Sequence, residues 1–109
     1  MFSITQAKGF KLTFANGYTV SVQFGPMNYC SRDNEPYNAP AAAIRSGWDS
    51  EDAEVAIWDN NRDWQTKRFA AVILDDPNGV LHDDVAGRVN ADRVARIIDA
   101  VQSADPCIV

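Results

Sequence analysis

Two kinds of side chain in this sequence are suited to binding an anionic, aromatic ligand such as a nucleotide. Arg88 and Arg93 flank the start of a predicted helix, where free backbone N–H groups also attract anions, and Arg96 follows on the same helix. Tyr29 and Trp48 lie in a long predicted loop, and aromatic rings of this kind stack on bases. These residues predict a site in which arginines hold a phosphate group and an aromatic side chain holds the base.

The start of that loop is a second candidate position, because residues at strand ends often build binding sites. The full set of predicted ligand-binding residues is Asn28, Tyr29, Trp48, Arg88, Arg93 and Arg96. Trp58 and Trp64 are further aromatic candidates, with packing in a core or an interface as the alternative for Trp58. The alternative for the arginines is an ordinary solvated helix face. If they bind the ligand, Arg93→Ala weakens binding and leaves the protein folded.

Catalytic and metal-binding chemistry has weaker support. His82 has acidic neighbours at Asp75, Asp76, Asp83 and Asp84, and such a group can bind a divalent metal or supply a general base. The group lacks the ligand spacing of a calcium loop, and a solvated acidic turn explains it equally well. The sequence also contains no G-x-S-x-G elbow and no glycine-rich phosphate loop. We therefore predict no catalytic site, no metal and no cofactor.

The composition excludes several classes of protein. With 109 residues, 46% hydrophobic and 23% charged, the chain has the size and composition of one globular domain. A net charge of -5 argues against a nucleic-acid partner, because such binding depends on clustered positive charge. The sequence has no apolar run of about 18 residues and no secretory signal, so we expect no membrane association. Cys30 and Cys107 are typical of reduced thiols in a cytosolic protein.

The elements that must position these side chains begin with a predicted hairpin whose turn contains Asn16-Gly17. Apolar residues alternate with polar ones on both sides of the turn, which is the period of a half-buried strand. A three-residue loop, residues 15 to 17, pairs Phe14 with Tyr18 and brings every apolar side chain to one face of the hairpin. Gly17 supplies the left-handed backbone conformation that such a loop needs.

Further strands are predicted in the middle of the chain. A long loop covers residues 25 to 52, where several X-Pro sequences interrupt regular structure. Residues 53 to 58 form a third strand, and Asp63 to Lys67 begin a fourth strand in a second hairpin. The apolar run Phe69 to Leu74 has the length and flanks of a buried strand, although its pattern does not exclude a helix.

The last predicted element is a helix that begins after Asn90. Asn90 fits an N-cap, and Asp92 lies in the first turn, where the helix dipole favours an anion. One apolar stripe follows the helical period: Val94, Ile97, Ile98 and Val101. Together these elements predict a single α+β domain over residues 1 to 109, with an antiparallel β-sheet built from two hairpins and a C-terminal helix packed on one face.

Three segments of the sequence resemble small proteins encoded by bacteriophages. They are Asn16 to Phe24 running into Asn28-Tyr29-Cys30, Asp52 to Asp59, and His82 to Gly87 leading to the last helix. Their pattern is similar to that of compact phage anti-defence proteins, in particular the anti-Thoeris signal-sponge family. This resemblance implies a symmetric homo-oligomer that sequesters cyclic ADP-ribose-type signals or cyclic oligonucleotides between its subunits, without catalysis. It assigns no ligand-binding residue to a position in this chain.

The leading functional prediction is therefore a phage-encoded, non-enzymatic protein of the host bacterial cytosol. It binds and sequesters a cyclic nucleotide or cyclic ADP-ribose-type immune signal. The alternative is an acidic protein–protein inhibitor of a host defence factor, which competes for a basic surface and loses its binding at high salt. A small hydrolase that uses the acidic residues around His82 is a third hypothesis, and it predicts stabilisation by Mn²⁺ or Mg²⁺.

Overall fold

A five-stranded antiparallel sheet is the framework of the protein. The computed structural model describes residues 1–5, 9–24, 49–76, 78–79, 81 and 83–107. The strands neighbour one another in chain order: β1 (Phe2–Ile4), β2 (Gly9–Thr13), β3 (Thr19–Gln23), β4 (Asp52–Trp58) and β5 (Ala86–Asn90). The helices are a 3₁₀ helix (Thr66–Phe69), α1 (Ala70–Leu74) and α2 (Ala91–Gln102). The predicted α+β class is confirmed, and most of the predicted loop over residues 25 to 52 lies outside the described residues.

The first hairpin forms with the predicted three-residue loop. Leu12 lies opposite Val20 in the β2–β3 pair, and the Phe14 N–H donates to the carbonyl oxygen of Tyr18 at 2.9 Å. Gly17 has a φ of 95°, a conformation that strains residues with a side chain. The apolar residues of both strands therefore face the same side of the sheet, as the alternation predicts.

The hydrophobic core lies between this face of the sheet and the helices. α2 packs over β3, β4 and β5, and it buries Ile97 and Val101 completely. Val94 and Ile98 pack at the margin of the same core. The side-chain oxygen of Asn90 accepts the N–H of the third helical residue at 2.8 Å. The predicted N-cap and apolar stripe of the last helix are both confirmed.

The turn of the first hairpin also holds the C-terminal end of α2. The Asn16 side-chain amide donates to the carbonyl oxygen of Val101 at 2.7 Å and lies 3.1 Å from that of Ala104. The Cys107 N–H donates in turn to the backbone oxygen of Asn16 at 2.8 Å. Because the last carbonyl groups of a helix have no partner within the helix, Asn16 acts as a cap from a distant part of the chain.

Two strands predicted after β4 do not form. The strand expected from Asp63 is reduced to a single bridge between Trp58 and Trp64. The prediction of a buried strand over Phe69 to Leu74 is wrong, since Phe69 ends the 3₁₀ helix and the following residues form α1. Its burial has a helical spacing, because Ala70 and the residue three positions later, Ile73, are both buried.

A buried hydroxyl group fixes the start of these helices. Thr66 is fully buried, and its Oγ1 accepts the Ile57 N–H at 3.0 Å and donates to the carbonyl oxygen of Asp84 at 2.6 Å. This contact joins the start of the 3₁₀ helix to β4 through a side chain, where the predicted fourth strand would have used backbone hydrogen bonds. The position beside β4 is taken instead by β5, which pairs Ala53 with Val89.

Asn16→Ala is expected to lower the free energy of unfolding by about 1–3 kcal/mol, because the carbonyl groups of Gln102 and Ala104 lose the Asn16 donor, while that of Val101 keeps the Ala104 N–H at 3.2 Å. For a domain of this size the melting temperature should fall by roughly 5–15 °C. Thermal denaturation followed by circular dichroism measures the change. Asn60→Ala removes an exposed amide from a neighbouring turn and serves as the control. Equal melting temperatures for the two variants would contradict the capping role.

Candidate functional site

The predicted arginines lie on either side of the start of α2. Arg88 belongs to β5 and Arg93 to the first turn of α2, and both line a cleft of about 500 Å³ together with Asn90 and Asp83. We call this the arginine cleft. Arg96 is exposed one turn further along the helix and does not line the cleft. The structure therefore brings together two of the three predicted arginines.

Arg93 is engaged within the fold. Its Nη1 donates to the carbonyl oxygen of Val72 at 3.2 Å, and its Nη2 lies 3.2 Å from a carboxylate oxygen of Asp75. The Arg93 backbone N–H, which a bound anion would need, donates to the side chain of Asn90. The guanidinium group thus joins α1 to α2, and the helix start offers fewer free donors than the sequence suggests.

The other predicted site residues cannot be placed from the structure. Asn28, Tyr29 and Trp48 lie outside the described residues, and so does His82. Within the described ranges, no three His, Cys, Asp or Glu side chains converge in a way that could hold a metal ion. The acidic residues that flank His82 in sequence and belong to the described part are exposed: Asp75, Asp76, Asp83 and Asp84.

A second cleft on the opposite face of the sheet combines aromatic, cationic and hydroxyl side chains. Its volume is about 490 Å³, and we call it the tryptophan cleft. Its described lining residues come from β1 to β4 and from the turn that follows β4: Met1, Ser3, Lys11, Thr13, Thr19, Trp58, Arg62 and Trp64. None of these lining residues carries a carboxylate, an imidazole or a thiol.

Two indole rings form the aromatic part of the tryptophan cleft. The ring centroids of Trp58 and Trp64 are 5.7 Å apart and the ring planes meet at 84°, an edge-to-face arrangement. The Lys11 ammonium group lies 6.0 Å from the centroid of the Trp58 ring, at the limit of a cation–π contact. Trp64 is 52% exposed. The cleft therefore presents aromatic surface to solvent beside a positive charge.

Strand register supplies the polar floor of the tryptophan cleft. Trp58 lies opposite Thr19 in the β3–β4 pair, and Thr19 lies opposite Thr13 in the β2–β3 pair. The two threonine hydroxyl oxygens are 2.9 Å apart. Ser3 lies opposite Lys11 in the β1–β2 pair, in the neighbouring row of the same face, two residues along β2 from Thr13. Because these side chains alternate with the core residues, the register that builds the core also assembles the cleft.

A hydrogen-bonded turn centred on Asp59 positions Arg62 at the rim of the tryptophan cleft. The Asp59 Oδ1 accepts the N–H groups of Asn61 and Asp63 at 2.9 and 3.0 Å, and its Oδ2 accepts the Gln65 side chain at 2.9 Å. Arg62 has a φ of 67°, a conformation that a residue with a side chain adopts only at a cost. The hydrogen bonds, above all that from the Asp63 N–H, lower the pKa of Asp59.

The two cationic side chains of the tryptophan cleft, Lys11 and Arg62, differ from Arg93 in having no ionic partner among the described residues. Neither Lys11 nor Arg62 forms a salt bridge with any residue in the described part of the chain. The chain as a whole has a net charge of -5. Two such cations, in a cleft whose described lining residues carry no carboxylate, give this part of an acidic protein a local positive charge.

No protein-family profile matches the chain, and no curated protein or solved structure is significantly similar to it. Among the described residues, no helix is long and apolar enough to cross a membrane. Function must therefore be inferred from the chemistry of the two clefts. The tryptophan cleft is the stronger candidate because its cations are available and its aromatic surface is exposed.

The sequence does not predict Lys11 and Arg62 as site residues. A signal for Trp58 and Lys11 is present in the alternation, which places both on the polar face of their strands. A large aromatic side chain at a polar-face position is informative because it is not needed for the core. No local pattern marks Arg62, whose place depends on the turn that Asp59 organises.

Acidification is expected to loosen the turn around Asp59. Its pKa lies below the ordinary value of 3.8, so the stabilisation from the carboxylate is complete above that value and is lost as the pH falls through the lower, folded-state pKa. Near-ultraviolet circular dichroism should report the change through the Trp58–Trp64 pair. Asp59→Asn should weaken the signal already at neutral pH, and a variant spectrum identical to wild type would show that the carboxylate does not position the pair.

Arg93→Ala is expected to lower the free energy of unfolding by about 1 kcal/mol, because the Val72 carbonyl loses its donor. The ion pair adds little, since the Asp75 side chain is 73% exposed. Urea denaturation at neutral pH measures the loss, with Arg96→Ala as the exposed control on the same helix. If Arg93→Ala is as stable as the control, the guanidinium is not structural and is again a candidate ligand group.

Proposed function

We propose that this protein is a non-enzymatic binding protein that sequesters a nucleotide-derived ligand of the cyclic nucleotide or cyclic ADP-ribose type. The observation that carries the proposal is the tryptophan cleft, where two indole rings and two cations meet without a carboxylate among the lining residues. The resemblance to phage anti-defence sponges supports the same role, in which a phage-encoded protein withholds an immune signal from its receptor.

Each part of such a ligand has a counterpart in the cleft. A base can stack on the exposed indole of Trp64, an interaction worth about 1–3 kcal/mol per base. Arg62 offers a planar set of donors to a phosphate group, and Lys11 adds a second positive charge. The hydroxyl groups of Ser3 and Thr13 can bind sugar or phosphate oxygens.

Charge favours a small ligand over a long polyanion. Two cations balance the one or two phosphate charges of a cyclic nucleotide or a cyclic ADP-ribose isomer. A nucleic acid would extend beyond the cleft over a surface whose overall charge is negative, since the chain carries -5 in total. The cleft volume of about 490 Å³ lies in the range of small-molecule sites.

The same lining favours binding without turnover. General acid–base catalysis near neutral pH commonly uses a histidine or a carboxylate with an adjusted pKa. The described lining residues of the tryptophan cleft provide hydroxyl groups, indoles and cations. These groups hold and orient a nucleotide, and a bound ligand should therefore be released chemically unchanged.

A thermal-shift panel of cyclic nucleotides and cyclic ADP-ribose isomers tests the function. A ligand present at about a thousand times its Kd stabilises the fold by roughly 4 kcal/mol, which raises the melting temperature by roughly 15–30 °C. We expect one compound to give such a shift and to be recovered intact by chromatography. A panel without any shift, or recovery of a converted product, would contradict the proposal.

Three single-arginine variants then locate the site. Arg62→Ala should weaken binding about 10- to 100-fold, because it removes a charged hydrogen-bond donor from the phosphate. Arg96→Ala removes the same charge from the exposed face of α2 and should leave the affinity unchanged. Isothermal titration calorimetry measures both. Equal losses in the two variants would indicate non-specific attraction, and a loss confined to Arg88→Ala would assign the ligand to the arginine cleft.

A further inference from the structure

We infer that the free edge of β1 is a contact surface for a second copy of this chain, which adds its own β1 antiparallel to the first about a two-fold axis at Ser3. β1 (Phe2–Ile4) is the first strand of the sheet, and β2 is its only partner among the described strands. This inference goes beyond the ligand-binding function and does not depend on it, because the core-face side chains and outer backbone groups of β1 are not the groups that line the tryptophan cleft.

Large apolar side chains of β1 are uncovered. Phe2 is 85% exposed and Ile4 is 83% exposed. They lie opposite Leu12 and Phe10, which places them on the face of the sheet that carries the core. α2 packs over β3, β4 and β5. The apolar face of the sheet therefore continues past the helix onto an exposed edge.

The two exposed residues also direct their backbone groups to the free edge. The Thr13 N–H donates to the carbonyl oxygen of Met1 at 2.9 Å, and the Thr5 N–H donates to that of Gly9 at 3.1 Å. Alternate residues of β1 thus bond to β2, and in an antiparallel ladder the residues between them face outwards. Two residues with exposed apolar side chains therefore also offer a row of backbone donors and acceptors to an incoming strand.

A second copy fits this edge because the strand is self-complementary. Antiparallel pairing about Ser3 places Phe2 opposite Ile4 of the second copy, and the symmetric pair repeats the contact. Each pair can exchange two backbone hydrogen bonds. All of the large side chains then lie on one face of the joined sheet, where cross-strand apolar pairs stabilise the contact. A shift of one residue would place Ser3 against these side chains and break the match.

The opposite edge of the sheet is protected and β1 is not. On β5, the pairing changes register between Ala53 and Val55, and Arg88 has a φ of 54°. Such irregularities and edge charges discourage the addition of another strand. Residues 1 to 5, by contrast, contain no charged side chain, proline or glycine. A regular, apolar edge without charged side chains favours strand addition.

The expected dimer is modest in size. Phe2 and Ile4 from each copy together bury on the order of 700 Å², which is below the roughly 1,200 Å² of standard specific interfaces and in the range of weak, transient ones. Main-chain hydrogen bonds along the strand add to this contact. We therefore expect a weak, reversible dimer that dissociates at roughly 100 μM or above.

Sedimentation equilibrium of the full chain over a wide concentration range tests the inference. The wild type should follow a monomer–dimer equilibrium. Ile4→Lys places a charge on the edge and should raise the dissociation constant at least about tenfold. Ala95→Lys adds the same charge to the exposed face of α2 and should leave the equilibrium unchanged. Circular dichroism confirms that both variants are folded.

Ile4→Pro provides a second, independent variant. It removes an outward N–H group without removing a bond to β2, and proline is tolerated on an edge strand at such a position. Loss of the dimer in both Ile4 variants, with its retention in Ala95→Lys, supports the inference. A wild type that is monomeric at every concentration, or a dimer that persists in both Ile4 variants, overturns it.

Discussion

The contact between the first hairpin turn and the end of α2 links the register of the sheet to the position of the helix. Asn16 caps the helix carbonyls with its side chain, and its own turn fixes the register of β2 against β3. That register decides which side chains meet α2 and which face the tryptophan cleft. Because strand side chains alternate, a slip of one residue would send Val20 outwards and Thr19 into the core. One turn therefore determines both the packing of the helix and the composition of the cleft.

The predictable parts of the fold are those whose signals are local. The Asn16-Gly17 turn predicts the hairpin loop, and Asn90 predicts the start of α2, because both effects act within a few residues. Phe69 to Leu74 is different, since its apolar run is short enough for either a strand or a helix. Its helical form goes with contacts that are distant in sequence, since Thr66, at the start of the 3₁₀ helix, bonds to Ile57 and Asp84 through its hydroxyl group. β1 and β5 are also not predicted, as strands of three and five residues carry little periodicity.

In the candidate site, too, local sequence signals predict some features and tertiary packing decides the others. The sequence correctly places Arg88 and Arg93 at the start of α2, but only tertiary packing shows that the Arg93 guanidinium is bonded to α1. The tryptophan cleft collects residues from four strands and a turn. Alternation identifies the polar-face position of Trp58, whereas Arg62 reaches the cleft through a turn whose shape depends on side-chain hydrogen bonds. A ligand site built across a sheet is therefore visible in sequence only as separate residues of suitable chemistry.

We propose that nucleotide-type ligands bind in the tryptophan cleft, and ¹H–¹⁵N NMR of the indole groups tests this binding at the site itself. The chain has three tryptophans, so each indole N–H gives one signal that Trp→Phe variants can assign. The protein is titrated with cyclic ADP-ribose and, separately, with cyclic AMP. We expect the indole signals of Trp58 and Trp64 to shift together and to saturate with at least one of the two compounds. Unchanged signals from both tryptophans with both compounds, including the case in which only amides at the start of α2 shift, would contradict it.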